Sequence, residues 1–164
     1  MEEVDLLAFE KELYKEGITL IAGVDEVGRG PLCGPVVACA CILPKNYSLE
    51  GLNDSKKLSE KKRDKLYEFL IKDTIYGIGV VSPQRIDEIN ILEASKEAMK
   101  IALSNLSKKP EHVLIDAVKL DIDIPSTSII KGDAKSLSIA AASVIAKVTR
   151  DRMMYDLDKL YPEY

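Results

Sequence analysis

Two uninterrupted apolar runs separated by a glycine-rich connection set the strongest limit on how this chain can fold. Residues 18–27, ITLIAGVDEV, and residues 36–43, VVACACIL, read as strands, and the connection 28–35, GRGPLCGP, is short enough to turn one back beside the other. Around this pair the pattern alternates. Residues 2–16 form an expected helix with Leu6, Leu7, Phe9 and Leu13 on one broad face. Ser59 is an expected N-cap for a helix over 59–73, whose apolar face carries Leu66, Phe69 and Leu70. A third strand, 73–82, stops at Pro83, and one long helix over 85–107 follows, with Ile86, Ile89, Ala94, Ala98, Ile101 and Leu106 near helical spacing. Strands over 111–118 and 126–130 lead to a last helix, 134–161, halted by Pro162. Five strands, two of them followed by long helices, predict an α/β fold: a mixed five-stranded sheet with helices on both faces. No repeat or linker divides the chain, so residues 1–164 are expected to form a single domain.

Composition narrows the function classes. The chain is 46% apolar and 30% charged, ordinary for a globular protein. No apolar run approaches the ~20 residues a membrane span needs, and the acidic start has the wrong sign for a signal peptide, which makes the expected location cytoplasmic. Cys33, Cys39 and Cys41 fit neither a disulfide framework nor a zinc site; at odd positions they share one strand face and read as small core residues. His112 is the only histidine, so histidine-rich metal sites are excluded, and a strand-edge role suits it better than a catalytic one. The net charge of −4 does not announce nucleic-acid binding. The basic residues are nonetheless concentrated. Residues 55–65 carry six cations against two anions, and residues 131–152 carry Lys131, Lys135, Lys147, Arg150 and Arg152 against Asp133 and Asp151. By themselves such segments read as solvated helix faces.

Four acidic residues stand out by position. Asp25 and Glu26 close the first strand, Asp116 closes the fourth, and Asp133 lies just past the fifth. Ligands of open α/β sheets collect at the carboxyl ends of strands, so these side chains can converge. Carboxylates at the end of an apolar sheet need a partner, and a divalent cation supplies one. Two such ions about 3.5–4 Å apart can drive phosphodiester hydrolysis without a histidine base. Asp133, beside Gly132 and ahead of a helix, reads equally well as a helix N-cap. Asp25 and Glu26 can both serve one ion only if their strand bends or ends there, which Gly28 permits. Gly28-Arg29-Gly30 is neither a Walker loop nor a dinucleotide fingerprint; its bare backbone suits close approach of a sugar or phosphate.

The segments IAGVDEVGRGPLCGPVV, LNDSKKLS, IDEINILEASKEAM, HVLIDA and KGDAKSLSIAAASVIAKVTRD, in this order, resemble the bacterial ribonuclease HII family from about residue 10 to residue 164. The resemblance implies a ribonuclease H-like fold and a metal-dependent ribonuclease H. Its expected activity is hydrolysis of the RNA strand of RNA/DNA hybrids and incision 5′ of single ribonucleotides in duplex DNA. It implies that Asp25, Glu26, Asp116 and Asp133 are the catalytic residues and ligands of Mg²⁺ or Mn²⁺, and that Gly28, Arg29 and Gly30 contact the ribose 2′-OH, the group that separates RNA from DNA. Ser55, Lys56 and Lys57 fall in the family's NDSKKL loop. Ser136, Ser143, Lys147 and Arg150, spaced seven, four and three apart, would share a helix face that holds strand phosphates. Ser143 within AAAS also reads as tight helix–sheet packing by small residues. The expected partners are RNA/DNA hybrid and ribonucleotide-containing duplex DNA, with no membrane and a monomeric protein. Members of the family continue past the YPEY-like ending with a tyrosine that stacks at the RNA–DNA junction; this chain stops at Tyr164, and Tyr155, Tyr161 and Tyr164 do not occupy that motif. A hybrid-binding domain with weak or no catalysis is therefore the alternative reading.

Overall fold

In the computed structural model, which describes residues 5–28 and 34–160 apart from the side chains of Asp54, Lys56 and Leu160, the two apolar runs pair as expected. Strand β1 (Ile21–Val27) runs antiparallel to β2 (Val36–Ile42), with Asp25 opposite Cys39 and Glu26 opposite Ala38. Strand β3 (Ile75–Val81) is antiparallel to β2, while β4 (His112–Asp116) and β5 (Ser126–Ile129) run parallel to β1. The spatial order is β3-β2-β1-β4-β5, which places β1 at the centre. Every residue of β2 is buried, as an apolar run covered on both faces requires.

The helices supply that cover. Helix α5 (Leu137–Leu160) crosses one face beside α2 (Glu60–Asp73), and its Ala140, Ala141 and Ile145 form a core with Cys39, Cys41, Leu66 and Leu70. On the other face α4 (Ile91–Ser104) buries Ala94, Ala98 and Met99 against Val24, Ala38 and Ala40. Alternation along β2 thus sends its cysteines to α5 and its alanines to α4. Cys39 and Cys41 are free, buried thiols, as their spacing suggests; Cys33 lies outside the described residues. His112 opens β4, and its Nε2 lies 2.9 Å from the Thr127 hydroxyl on β5. Among the described residues no helix is long and apolar enough to cross a membrane.

Helix α5 lies unusually close to β1. A Cβ on Gly23 would stand 2.2 Å from the Ser138 carbonyl carbon, so only glycine lets the start of α5 rest on the central strand. Ser59 caps α2 as expected, its hydroxyl accepting from the Lys62 N–H at 3.3 Å.

Three expectations are corrected. The long helix over 85–107 is two: α3 (Pro83–Ile89) and α4, divided at Asn90. Asn90 adopts φ 75°, ending the first helix, and its side-chain oxygen accepts from Glu93 N–H at 3.0 Å, capping the second. In α1 (Ala8–Lys15) Phe9 is 37% exposed whereas Glu10 is 1% exposed, the reverse of the apolar-face reading. Phe69 on α2 is 47% exposed and leaves the core to Leu66 and Leu70.

Candidate active site

The three parallel strands end side by side, and each delivers an acid to the same end of the sheet. Asp25 follows Val24, which pairs with Ile115, so Asp116 is its lateral neighbour across the β1–β4 boundary. Asp133 sits in a 3-10 turn (Gly132–Ala134) just beyond β5. The backbone N–H of Gly132 donates to Asp116 Oδ1, tying that turn to the end of β4. Asp133 is not the N-cap of α5. Ser136 takes that place, its hydroxyl accepting from Ile139 N–H at 3.2 Å.

Asp25, Glu26, Asp116 and Asp133 line one open cleft of about 360 Å³ together with Val27, Ser55, Arg63, Ser143, Val144 and Lys147. Asp25 and Glu26 point to opposite sides of β1, yet both reach the cleft because the strand ends one residue later, at Val27. Gly28 follows with φ 111°, a conformation in which a Cβ would lie 2.6 Å from the Pro35 carbonyl oxygen. Asp25 is 5% exposed, and its Oδ1 accepts the Glu26 N–H at 2.8 Å. Burial pushes its carboxyl well above the usual carboxylate range, and the charges of Asp116, Glu26 and Asp133 push it further. That unfavourable concentration of negative charge is the condition a cation relieves.

The donor set fits a hard divalent ion, because every donor is a carboxylate oxygen and the cleft is open to water. Among the described residues no three acidic, histidine or cysteine side chains already form a closed ligand set. A cation would have to draw these carboxylates inward, against the mutual repulsion that Asp25 registers.

The cleft lining also carries cations, Arg63 and Lys147. Ser143 and Lys147, one helical turn apart on α5, share a face toward it. Lys147 Nζ donates to Asp151 Oδ1 at 3.0 Å, and Arg63 Nη1 lies 4.0 Å from Asp151 Oδ2, so one aspartate holds both cations beside the cleft. Ser55, in a 3-10 turn (Leu52–Lys57), adds a hydroxyl. Arg63 was not among the candidates. It stands three residues before Leu66 and seven before Leu70, on the stripe of α2 that faces α5. Lys62, four before Leu66 and eight before Leu70, fits that stripe as well, so spacing alone does not single Arg63 out, and its partner Asp151 lies far along the chain.

Three candidates fall elsewhere. Ser136 is fully buried, and its hydroxyl donates to Glu10 Oε2 at 3.1 Å rather than facing the cleft. Arg150 is 6% exposed and donates through Nε to the Pro35 carbonyl at 2.9 Å, so it does not extend the phosphate-facing row of α5. Lys57 is exposed on the 3-10 turn and does not line the cleft. The side chain of Lys56 and all of Arg29 and Gly30 lie outside the described residues.

Comparison with known proteins gives a consistent set. The family model described as Ribonuclease HII matches residues 22–164. A ribonuclease HII of Bacillus cytotoxicus is 60% identical over 162 residues, covering 98% of this chain and 62% of that protein, so the chain spans less than two thirds of the length of such relatives. The crystal structure of ribonuclease H2 from Pyrococcus horikoshii OT3 superposes with a TM-score of 0.76 at 35% identity, over 87% of this chain and 77% of that one. Ribonuclease HII from Archaeoglobus fulgidus, solved in complex with PCNA, gives 0.74 at 31% identity, over 88% and 79%. The expected ribonuclease H-like fold is the fold observed.

Proposed function

The chain belongs to the ribonuclease HII family, and from that membership we propose that it is an endonuclease acting on the RNA strand of RNA/DNA hybrids and on the 5′ side of single ribonucleotides in duplex DNA. The observation that carries the reading is the end of the parallel strands. Asp25, Glu26, Asp116 and Asp133 gather there on one cleft, where burial and the acidic neighbours push the Asp25 carboxyl well above the usual carboxylate range. These four would hold Mg²⁺ or Mn²⁺. Bound there, the ions would lower the pKa of an attacking water and stabilise the leaving oxygen of an in-line displacement.

The chain's own residues supply the remainder. Lys147 and Arg63, fixed by Asp151, hold the strand phosphates against the acidic wall, a contact that positions without reading sequence. Ser55 and Ser143 offer hydroxyls to the same backbone. The Gly28-Arg29-Gly30 backbone, which follows β1 in the sequence, would meet the ribose 2′-OH, which no deoxyribonucleotide presents. Lys56, Lys57 and the remaining basic residues of 55–65 add a salt-dependent attraction to the duplex.

The test is a duplex DNA carrying one ribonucleotide, incubated with the protein with and without Mg²⁺. A single nick on the 5′ side of the ribonucleotide, dependent on the ion, is expected. Binding without a nick would instead support a hybrid-binding module, and equal cleavage of an all-DNA duplex would remove the 2′-OH from the reading.

A further inference from the structure

Glu10 is a carboxylate with 1% exposure on a short helix far in sequence from Asp116 and Asp133. Its Oε2 accepts three hydrogen bonds: from Ser136 Oγ at 3.1 Å, from Ser138 N–H at 3.0 Å and from Ser138 Oγ at 2.8 Å. All three donors belong to the first turn of α5 or its N-cap. Among the described residues its Oε1 is buried with no hydrogen-bond partner. A buried carboxylate oxygen left in this way costs folding free energy, so burial of Glu10 is poorly explained as simple packing. A negative charge at the start of a 24-residue helix, by contrast, is favourably placed against the helix dipole.

The bonds continue from α5 to the cleft without a gap. Ser136 N–H donates to the Gly132 carbonyl at 2.7 Å, and Lys135 N–H donates to the same carbonyl at 2.9 Å, closing the turn that carries Asp133. Gly132 N–H in turn donates to Asp116 Oδ1. The backbone of α1's approach segment joins in, with Leu137 N–H donating to the Leu6 carbonyl at 2.8 Å. Glu10 is therefore the outer end of a chain of contacts, through Ser136 and Gly132, that terminates on two of the four acids.

We infer that Glu10 is a positioning residue: from outside the segment matched by the family model, it fixes the turn bearing Asp133, and through Gly132 the Asp116 carboxylate, in the arrangement needed to take up a divalent cation. The consequence for metal and catalysis rests on the function proposed above; the mechanical claim does not. Deleting the carboxylate frees the N-cap serine and the first-turn N–H of Ser138 together, which loosens residues 132–138 while leaving the Arg63–Lys147 wall untouched.

Glu10→Ala and Glu10→Gln separate these elements. Hydrogen exchange followed by mass spectrometry should show faster exchange in Glu10→Ala confined to peptides covering 131–140; unchanged protection there overturns the inference. Titration with Mn²⁺ alone, read by the electron paramagnetic resonance of the free ion, should show affinity falling about tenfold or more, as is usual when a group orienting a ligand is removed. The kcat on the single-ribonucleotide duplex should fall similarly, with KM nearly constant. Glu10→Gln, whose amide oxygen can still accept from the Ser138 N–H, should recover most of both. A lowered Tm with Mn²⁺ affinity and kcat intact would make Glu10 merely structural and overturn the inference. Should Glu10→Ala not fold, Ser138→Ala removes one donor of the three and must shift exchange and Mn²⁺ affinity in the same direction. A wild-type chain that neither binds Mn²⁺ nor nicks, with the exchange result as expected, would sink the proposed function and leave the positioning role standing.

Discussion

Arg150, deep in α5, donates through Nε to the carbonyl of Pro35 at 2.9 Å, and so ties the longest helix to the start of β2. Its guanidinium also borders both ends of the glycine-rich connection. A Cβ on Gly28 would stand 2.9 Å from Nε, and one on Gly34 would stand 2.9 Å from Nη2. Truncation at this site leaves a buried carbonyl without its donor. Arg150→Met should lower unfolding stability by about 1–3 kcal/mol in a urea titration. Arg150→Lys should recover little of it, since a lysine has no donor at the Nε position and no planar fork. Gly28→Ala should also destabilise, because φ 111° and the Pro35 oxygen both oppose a side chain there. Wild-type stability in Arg150→Met would show that this contact contributes nothing.

The two cysteines on β2 should be chemically silent. Both are fully buried, and burial pushes the Cys41 thiol up to about 12 and that of Cys39 well above its ordinary value. Only the thiolate reacts, so at pH 8.5 the native protein presents almost none at these positions. Iodoacetamide should leave the peptide carrying Cys39 and Cys41 unmodified, with full alkylation once denaturant is added. Labelling of either residue in the native protein would mean that the α5 face of β2 opens.

What the sequence made legible follows from the range of each interaction. The apolar runs, the five strands and the acids at strand ends are local patterns, and Asp25, Glu26, Asp116 and Asp133 do line one cleft. The division of 85–107 into two helices was also written locally, as Asn90 three residues before Glu93; apolar spacing carried across the break from Ile89 to Ala94 and concealed it. Glu10 and Phe9 exchange places for a reason no window contains, since the donors that bury Glu10 stand 126 and 128 residues further on. Ser136 and Arg150 were misplaced in the same way: helical spacing put them in the row of Lys147, but Ser136 precedes α5 as its cap and Arg150 is claimed by Pro35.

The cationic wall predicts a specific salt response. Lys147 and Arg63 flank Asp151, and each is expected to neutralise one phosphate. Lys147→Ala and Arg63→Ala should each weaken hybrid binding and reduce the slope of log K against log salt by about one. Substitution of Lys61, which is exposed and lines no part of the cleft, should lower affinity only slightly. Fluorescence anisotropy with a labelled hybrid in Ca²⁺ or EDTA, where nicking is absent, measures this. A slope unchanged in both variants would remove them from the interface.

Asp25→Asn should trade activity for stability, with a sign set by pH. Burial first, then the charges of Asp116 and Glu26, raise the Asp25 carboxyl well above its unfolded value near 4. A raised folded-state pKa means that the folded protein binds this proton more tightly than the unfolded chain does. The associated stability is fully present below the unfolded pKa and is lost as pH rises through the folded one. In EDTA at pH 4 the variant and the parent should therefore melt together. As pH rises above the unfolded value the parent loses this contribution and the asparagine variant does not, so at pH 7 Asp25→Asn should melt a few degrees higher. Adding Mg²⁺ or Mn²⁺ should raise the Tm of the parent, since ligand binding favours the folded state, and raise that of the variant less. Cleavage should meanwhile fall by at least about a hundredfold, with hybrid affinity retained or improved because one negative charge near phosphate is gone. A variant that is destabilised at neutral pH without metal would show that Asp25 is stabilised in its charged form by the surrounding structure. In that case its burial among three other acids would not be what prepares the cleft for a cation.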